Sequence, residues 1–178
     1  PGSGPLPEHA IAVIGMVGRF AGAADVDALW ENLCAGREGV QILTKVGLRW
    51  DDPRGRVLSR FRDPQGREQV VRHNCRPDSI RFEVERSLAR LGVETLDLVQ
   101  VHRHDAATPI ADTMGELADL RRAGKLRAIG VSNYSAAQMH EAQAALGEIP
   151  LASNQVHYSL LERWSEVEIL PRANEARI

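Results

Sequence analysis

Residues 96–135 read LDLVQVHRHDAATPIADTMGELADLRRAGKLRAIGVSNYS, and the alternation in this stretch decides the fold class. Leu96–Val101 is a short, mostly apolar strand. Thr108 suits a helix N-cap and Pro109 the first helical position. Ile110, Met114, Leu117 and Leu120 recur on one face of the helix that follows, and Gly124 stops it. Leu126–Val131 is the next strand. Ser135, with Gln138 three residues on, is a capping box that opens a helix through Met139, Ala142 and Leu146. Strands that alternate with helices in this way pair in parallel, because parallel neighbours need a helical crossover.

The same rhythm extends in both directions. Leu151–Val156 (LASNQV) is a strand, and a last helical pattern runs through Leu161, Trp164, Val167 and Leu170. Upstream, Asp78 is placed to cap a helix whose face is Ile80, Val84, Leu88 and Leu91. Residues 51–77 are rich in Arg, Asp, Pro and Gly and read as a long loop. Gln41–Val46 is a strand, Val26, Leu29, Trp30 and Leu33 mark a helix that Gly36 can end, and Ala10–Ile14 is a first strand. Five strands and five helical patterns give an α/β class with a parallel sheet.

Composition narrows the function classes. The chain has 178 residues, 43% hydrophobic and 26% charged, with a formal net charge of -2. That is an ordinary globular composition for one domain, or one domain with an appendage. A near-neutral charge gives no electrostatic case for nucleic acid. No apolar run approaches the ~18 residues of a membrane span. Cys34 and Cys75 make neither a disulfide framework nor a zinc pattern, so a cytoplasmic setting is the expectation. Pro1–Pro7 reads as a linker. The basic set is 20 Arg and 2 Lys, Lys45 and Lys125, so a position that keeps Lys stands out.

In parallel α/β folds the site lies at the carboxyl ends of the strands. Lys45 is near the end of one strand and His102 directly follows another. Ser132 and Asn133 follow a third, and Asn154 and Gln155 end a fourth. Each type also has an ordinary use: a snorkelling strand-end lysine, a satisfied histidine, turn and capping residues, a hydrogen-bonded amide. Their coincidence at four strand ends favours a site. Gly15, Gly18 and Gly22 do not have G-x-G-x-x-G spacing. Arg54, Arg56, Arg60, Arg62 and Arg67 make a basic loop that reads first as solvated and second as a phosphate contact.

From Gln41 onward the chain resembles the aldo-keto reductases. The resemblance is carried by ILTKVGLRW (42–50), EVERSLARLGVETLDLVQVHRHD (83–105), TPIADTMGELADLRRAGKLRAIGVSNYS (108–135) and LASNQVHYSLLER (151–163). It implies an incomplete (β/α)8 barrel over residues 41–178, NADP(H) as cofactor and a small-molecule aldehyde or ketone as substrate. It implies that Lys45 and His102 are the lysine and histidine of the catalytic tetrad. Ser132, Asn133 and Gln155 resemble the residues that hold the nicotinamide carboxamide. In that chemistry the lysine ammonium lowers the pKa of a proton-donating tyrosine and the histidine orients the carbonyl oxygen. The family's tyrosine and its lysine-pairing aspartate precede the lysine strand, and residues 1–40 contain no Tyr. The last two barrel strands of the family have no counterpart here. The reading is therefore of a chain truncated relative to its family, with activity impaired.

Residues 9–40, HAIAVIGMVGRFAGAADVDALWENLCAGREGV, resemble the start of a modular polyketide synthase ketosynthase domain, after a linker at 1–8. The ketosynthase cysteine and histidine motifs are absent. Two functions follow as expectations: an NADP(H)-dependent carbonyl reductase, or a non-catalytic reductase-derived module of a polyketide assembly line. A partial barrel exposes strand edges, so self-association or packing on another chain is expected of either.

Overall fold

The computed structural model describes residues 26–35, 41–176 and 178. The chain divides into two compact units, residues 1–41 and residues 42–178. In the first, helix α1 spans Val26–Cys34 and leaves Trp30 exposed. The strand expected at Ala10–Ile14, the linker at 1–8 and most of the ketosynthase-like stretch 9–40 lie outside the described residues.

The second unit opens with β1 (Leu43–Val46) and β2 (Leu48–Arg49). It continues with β3 (Arg56–Arg62), β4 (Glu68–His73), α2 (Pro77–Leu91) and β5 (Leu96–Val101). There follow α3 (Ile110–Arg122), β6 (Leu126–Ser132), α4 (Ala136–Leu146) and β7 (Leu151–Gln155). A 3-10 turn at Trp164–Glu166 and α5 (Ile169–Ala176) close it. Strands β1, β5, β6 and β7 form one parallel sheet in that order. The spatial order follows chain order without reversal, which is the winding of a (β/α)8 barrel segment rather than of a doubly wound sheet. The core packs Val99, Val101, Ile129 and Val131 of the sheet against Ile80, Val84, Met114, Leu117 and Ala142 of the helices.

Several local expectations hold to the residue. Ser135 accepts from the Gln138 N–H and the Gln138 side chain accepts from the Ser135 N–H, so the capping box is complete. Gly124 follows α3 with a φ of 75°, where a left-handed residue ends a helix. Others need correction. Residues 51–77 are not a loop. They contain the antiparallel hairpin β3–β4, which with β2 forms a second sheet of order β2-β4-β3. The turn is Asp63–Gly66, where the Asp63 carboxylate accepts from the Gln65 and Arg67 N–H groups. All of β3 is exposed, so no apolar stripe announced it.

Asp78 does not cap α2. Arg76 holds the N-cap position, and Asp78 sits in the first turn, paired with Arg54. Thr108 is not the cap of α3 either: that position is Pro109, and the Thr108 hydroxyl bonds to Asp105. The last helical pattern is broken. Leu161 and Val167 are 94% and 85% exposed, and the helical parts are the 3-10 turn at Trp164–Glu166 and α5, from Ile169. Among the described residues no helix is long and apolar enough to cross a membrane.

Candidate functional site

The register of the parallel sheet brings the strand-end residues to one rim. Val46 pairs with Val101, Val101 with Val131, and Ser132 with Gln155. Lys45 is one residue back on β1, half-buried, and makes no ion pair among the described residues. His102 leaves β5 with its N–H donating to the Val46 carbonyl at 2.9 Å. Lys45 and His102 line the same cleft of about 500 Å3, together with Trp50, Phe61, Phe82 and Glu83. Burial, then the cations of Lys45 and Arg103, hold the His102 ring below its ordinary pKa. The ring is thereby biased toward its neutral form.

On the other side of His102 lies a polar cluster. The Ser132 hydroxyl donates to the Gln155 carbonyl at 2.8 Å and accepts from the Asn133 amide at 3.0 Å. The Asn133 amide also donates to the His102 carbonyl at 3.3 Å, and the Asn133 N–H donates to the Gln155 carbonyl at 2.9 Å. Asn133 is the one described non-glycine residue with positive φ, 58°, a conformation Asn tolerates better than most. Its backbone turn is what aims the side chain back across the rim. Asn154 serves structure instead: its side chain bridges the N–H and carbonyl of Tyr134 at 3.3 and 2.8 Å. The sheet thus brings together the five residues singled out from the sequence, in two groups joined at His102.

Ser132 and the Asn133 amide nitrogen are engaged within the cluster, whereas the Asn133 side-chain oxygen and the exposed Gln155 side chain have no described protein partner; Gln155 enters the cluster through its main-chain carbonyl.

Three features were not foreseen. Glu83 of α2 accepts the Gly47 N–H with both carboxylate oxygens, at 3.1 and 3.2 Å, just beyond β1. The buried Asp105 accepts from the Cys75 and Ala107 N–H groups and the Thr108 hydroxyl, which together hold it ionised despite burial. Only the Asp105-x-Ala107 spacing, an Asx turn, could have flagged it. His73 is fully buried with neither ring nitrogen hydrogen-bonded. Neither tyrosine enters the cleft. Tyr134 is buried edge-on to His104, and burial pushes its phenol up. Tyr158 is exposed and bonded to Glu166.

The sequence model of the aldo/keto reductase family matches residues 18–177. The chain belongs to the aldo/keto reductase family. The match begins inside the stretch 9–40, so residues 18–40 fall within the reductase family match, and the likeness of 9–40 to a ketosynthase rests on its own residues alone. The chain is 37% identical over 138 residues to an NADH-specific methylglyoxal reductase of Escherichia coli, covering 76% of the chain and 40% of that protein. It is 37% identical over 142 residues to the aldo-keto reductase YhdN of Bacillus subtilis, covering 80% of the chain and 37% of that protein. The chain therefore spans about 40% of the length of these relatives. A glycerol dehydrogenase structure from Gluconobacter oxydans superposes with a TM-score of 0.68 at 38% identity, over 83% of this aldo/keto reductase chain and 41% of that one.

Proposed function

We propose that this aldo/keto reductase chain carries the nicotinamide and carbonyl end of a reductase site, acting on a small aldehyde or ketone. The observation that supports it most is the pairing of a half-buried, unpaired Lys45 with a His102 biased toward its neutral form in one cleft beside the Ser132–Asn133–Gln155 cluster. A bound reduced nicotinamide dinucleotide supplies the hydride. Asn133 and Gln155 hold its carboxamide, which fixes the ring face that points into the cleft. His102 hydrogen-bonds the carbonyl oxygen, and the Lys45 ammonium stabilises the negative charge that develops there. Trp50, Phe61 and Phe82 give the cleft an apolar, solvent-exposed wall against which the apolar part of a substrate packs.

The expected proton donor, a tyrosine, is not among the described residues of the cleft. Solvent water then protonates the alkoxide in its place, and the rate stands about 10²–10⁴-fold below a complete site. The described site reads the nicotinamide end, which NADPH and NADH share. NADPH is the cofactor the family resemblance implies, and one relative is NADH-specific by name, so both belong in the assay. The test is loss of NADPH or NADH absorbance with a generic aldehyde. Slow turnover that Lys45→Met abolishes supports the reading; turnover indifferent to Lys45→Met overturns it.

A second reading is a non-catalytic docking module. It is favoured by the outer strands of the parallel sheet, β1 and β7, which have no second strand neighbour among the described residues, and by the exposed Leu160, Leu161 and Val167 beyond β7. Under that reading the chain associates, with itself or a partner such as a polyketide synthase, and ignores both cofactors.

A further inference from the structure

We propose that Glu83 is a positioning residue for Lys45, acting through the Gly47 N–H at the end of β1. This rests on the reductase reading for its functional consequence, and on geometry alone for its structural one. Gly47 ends the strand that carries Lys45, with a φ of 97° that an L side chain rarely adopts. A Cβ there would lie 2.8 Å from the Cys75 sulfur, so the position is closed on that side. Its carbonyl accepts the Asn74 N–H at 3.1 Å. Its N–H points the other way and meets both oxygens of Glu83. The strand end is thus pinned from two sides, and the α2 side of the pin is a single carboxylate.

That carboxylate is not a surface group. It lines the cleft that Lys45 and His102 line, and Ser79 of its own helix donates to it at 3.4 Å. Burial pushes Glu83 up to about 7, against the pull of the Gly47 N–H and the Arg49 cation. Asp51 opposes its ionisation further, and the Cys75 thiol faces it from the β4 side. Arg86 and Arg90 of α2 and Lys45 and His102 of the sheet complete the charged and titratable groups of the cleft. Ionised, Glu83 makes charge-assisted bonds to Gly47; protonated, it loses most of that hold. The placement of Lys45 then follows the charge state of a residue on another element. Nothing in the sequence marks Glu83, because it is one acidic residue among several on a helix.

The chain has only two lysines, which makes the test clean. Reductive methylation with 13C-formaldehyde labels Lys45, Lys125 and the terminal amine; the two lysine signals, assigned with Lys45→Arg and Lys125→Arg, are followed from pH 5.5 to 8.5. The Lys45 signal is expected to shift with a midpoint near that of Glu83, Lys125 is expected to stay flat, and Glu83→Gln is expected to remove the step. Any smaller step from His102, at lower pH, survives that substitution. An identical Lys45 curve in folded Glu83→Gln overturns the proposal. If that variant does not fold, the Gly47 amide proton of the unaltered protein decides: a step near neutral pH supports the contact, and a flat trace overturns it. In the aldehyde assay Glu83→Gln offers Gly47 only a neutral acceptor, as protonated Glu83 does, so its kcat should sit at the acid-limb level of the unaltered chain at every pH. Glu83→Leu, with no acceptor, loses about tenfold or more in kcat with KM little changed. A chain that turns over no aldehyde but shows the Glu83-linked Lys45 step retains the positioning role and loses the reductase reading. A chain that reduces aldehyde without the step does the reverse.

Discussion

The Asn133 side-chain amide donates to the main-chain carbonyl of His102 at 3.3 Å, which fastens the ends of two adjacent parallel strands to each other. The same nitrogen donates to Ser132, and the left-handed backbone of Asn133 makes both reaches possible. Asn133→Ala removes two bonds and places an alanine at positive φ. It is expected to cost about 2–3 kcal/mol, from roughly 1 kcal/mol for each net hydrogen bond and the left-handed penalty. Asn133→Gly relieves the backbone part and should recover about 1 kcal/mol of it. Urea unfolding of the two variants beside the parent chain checks both numbers.

The hairpin depends on a position where no side chain fits. Gly55 has a φ of 94°, and a Cβ there would lie 1.8 Å from the His73 carbonyl oxygen. Backbone cannot retreat as a flexible side chain can. Gly55→Ala is expected to displace β3 from β4 and lower stability by about 2–4 kcal/mol, strain and lost contact together. Thermal unfolding reads the loss. Gly66→Ala, at the far tip with open space around it, should cost only about 1 kcal/mol.

Two histidines should make the fold acid-sensitive in a defined direction. Burial and the Arg56 cation hold His73 below its ordinary pKa, and burial and Lys45 do the same to His102. A group whose folded pKa is depressed binds fewer protons folded than unfolded. Its contribution is complete above the unfolded value of about 6.5 and is lost as pH falls below it. The histidine share of the free energy of unfolding should drop between pH 7 and 5, while Glu83, raised to about 7 in the folded state, contributes in the opposite direction over the same range. His73→Phe should flatten that slope and leave the His102 part. An equal slope in the variant would remove His73 from the account.

Asp52 anchors the start of the hairpin. Its carboxylate accepts the Arg54 N–H and guanidinium and the Asn74 amide, and the Arg54 contact holds it down to about 2. Asp52→Ala would leave the buried Asn74 amide without its acceptor, and should lower stability by about 1–3 kcal/mol, less than a fully buried pair because Arg54 is half exposed. Chemical denaturation at pH 7 measures it. The stabilisation from ionised Asp52 is present above its unfolded pKa of about 3.9 and lost as pH falls toward 2.

The parallel units were legible because Val99, Ile129 and Leu151 lie in the core that the helices cover, so each strand carries a run of apolar residues and the strand ends can be counted. That count places Lys45, His102, Ser132, Asn133 and Gln155 at one rim. The hairpin was not legible because β3 buries no face: its seven residues satisfy a ladder, and a ladder leaves no mark on composition. Asp78 and Thr108 are good cap residues that were outcompeted. Arg54 takes the Asp78 carboxylate and Asp105 takes the Thr108 hydroxyl, both from outside the helix. Glu83 and His73 were invisible for a related reason. Their importance lies in what surrounds them, and that is set by contacts 36 residues away for Glu83 and by burial for His73.

The most direct measurement is titration of the purified chain with NADPH, and separately NADH, following the fluorescence of its tryptophans, one of which, Trp50, lines the cleft. The account predicts saturable quenching with a dissociation constant of order micromolar to tens of micromolar for at least one cofactor, weakened about tenfold by Gln155→Ala, the 1.4 kcal/mol of a lost carboxamide contact. A folded sample that shows no saturable binding up to millimolar cofactor would contradict it, and the rim at Lys45 and His102 would then be a relic of the family fold rather than a site.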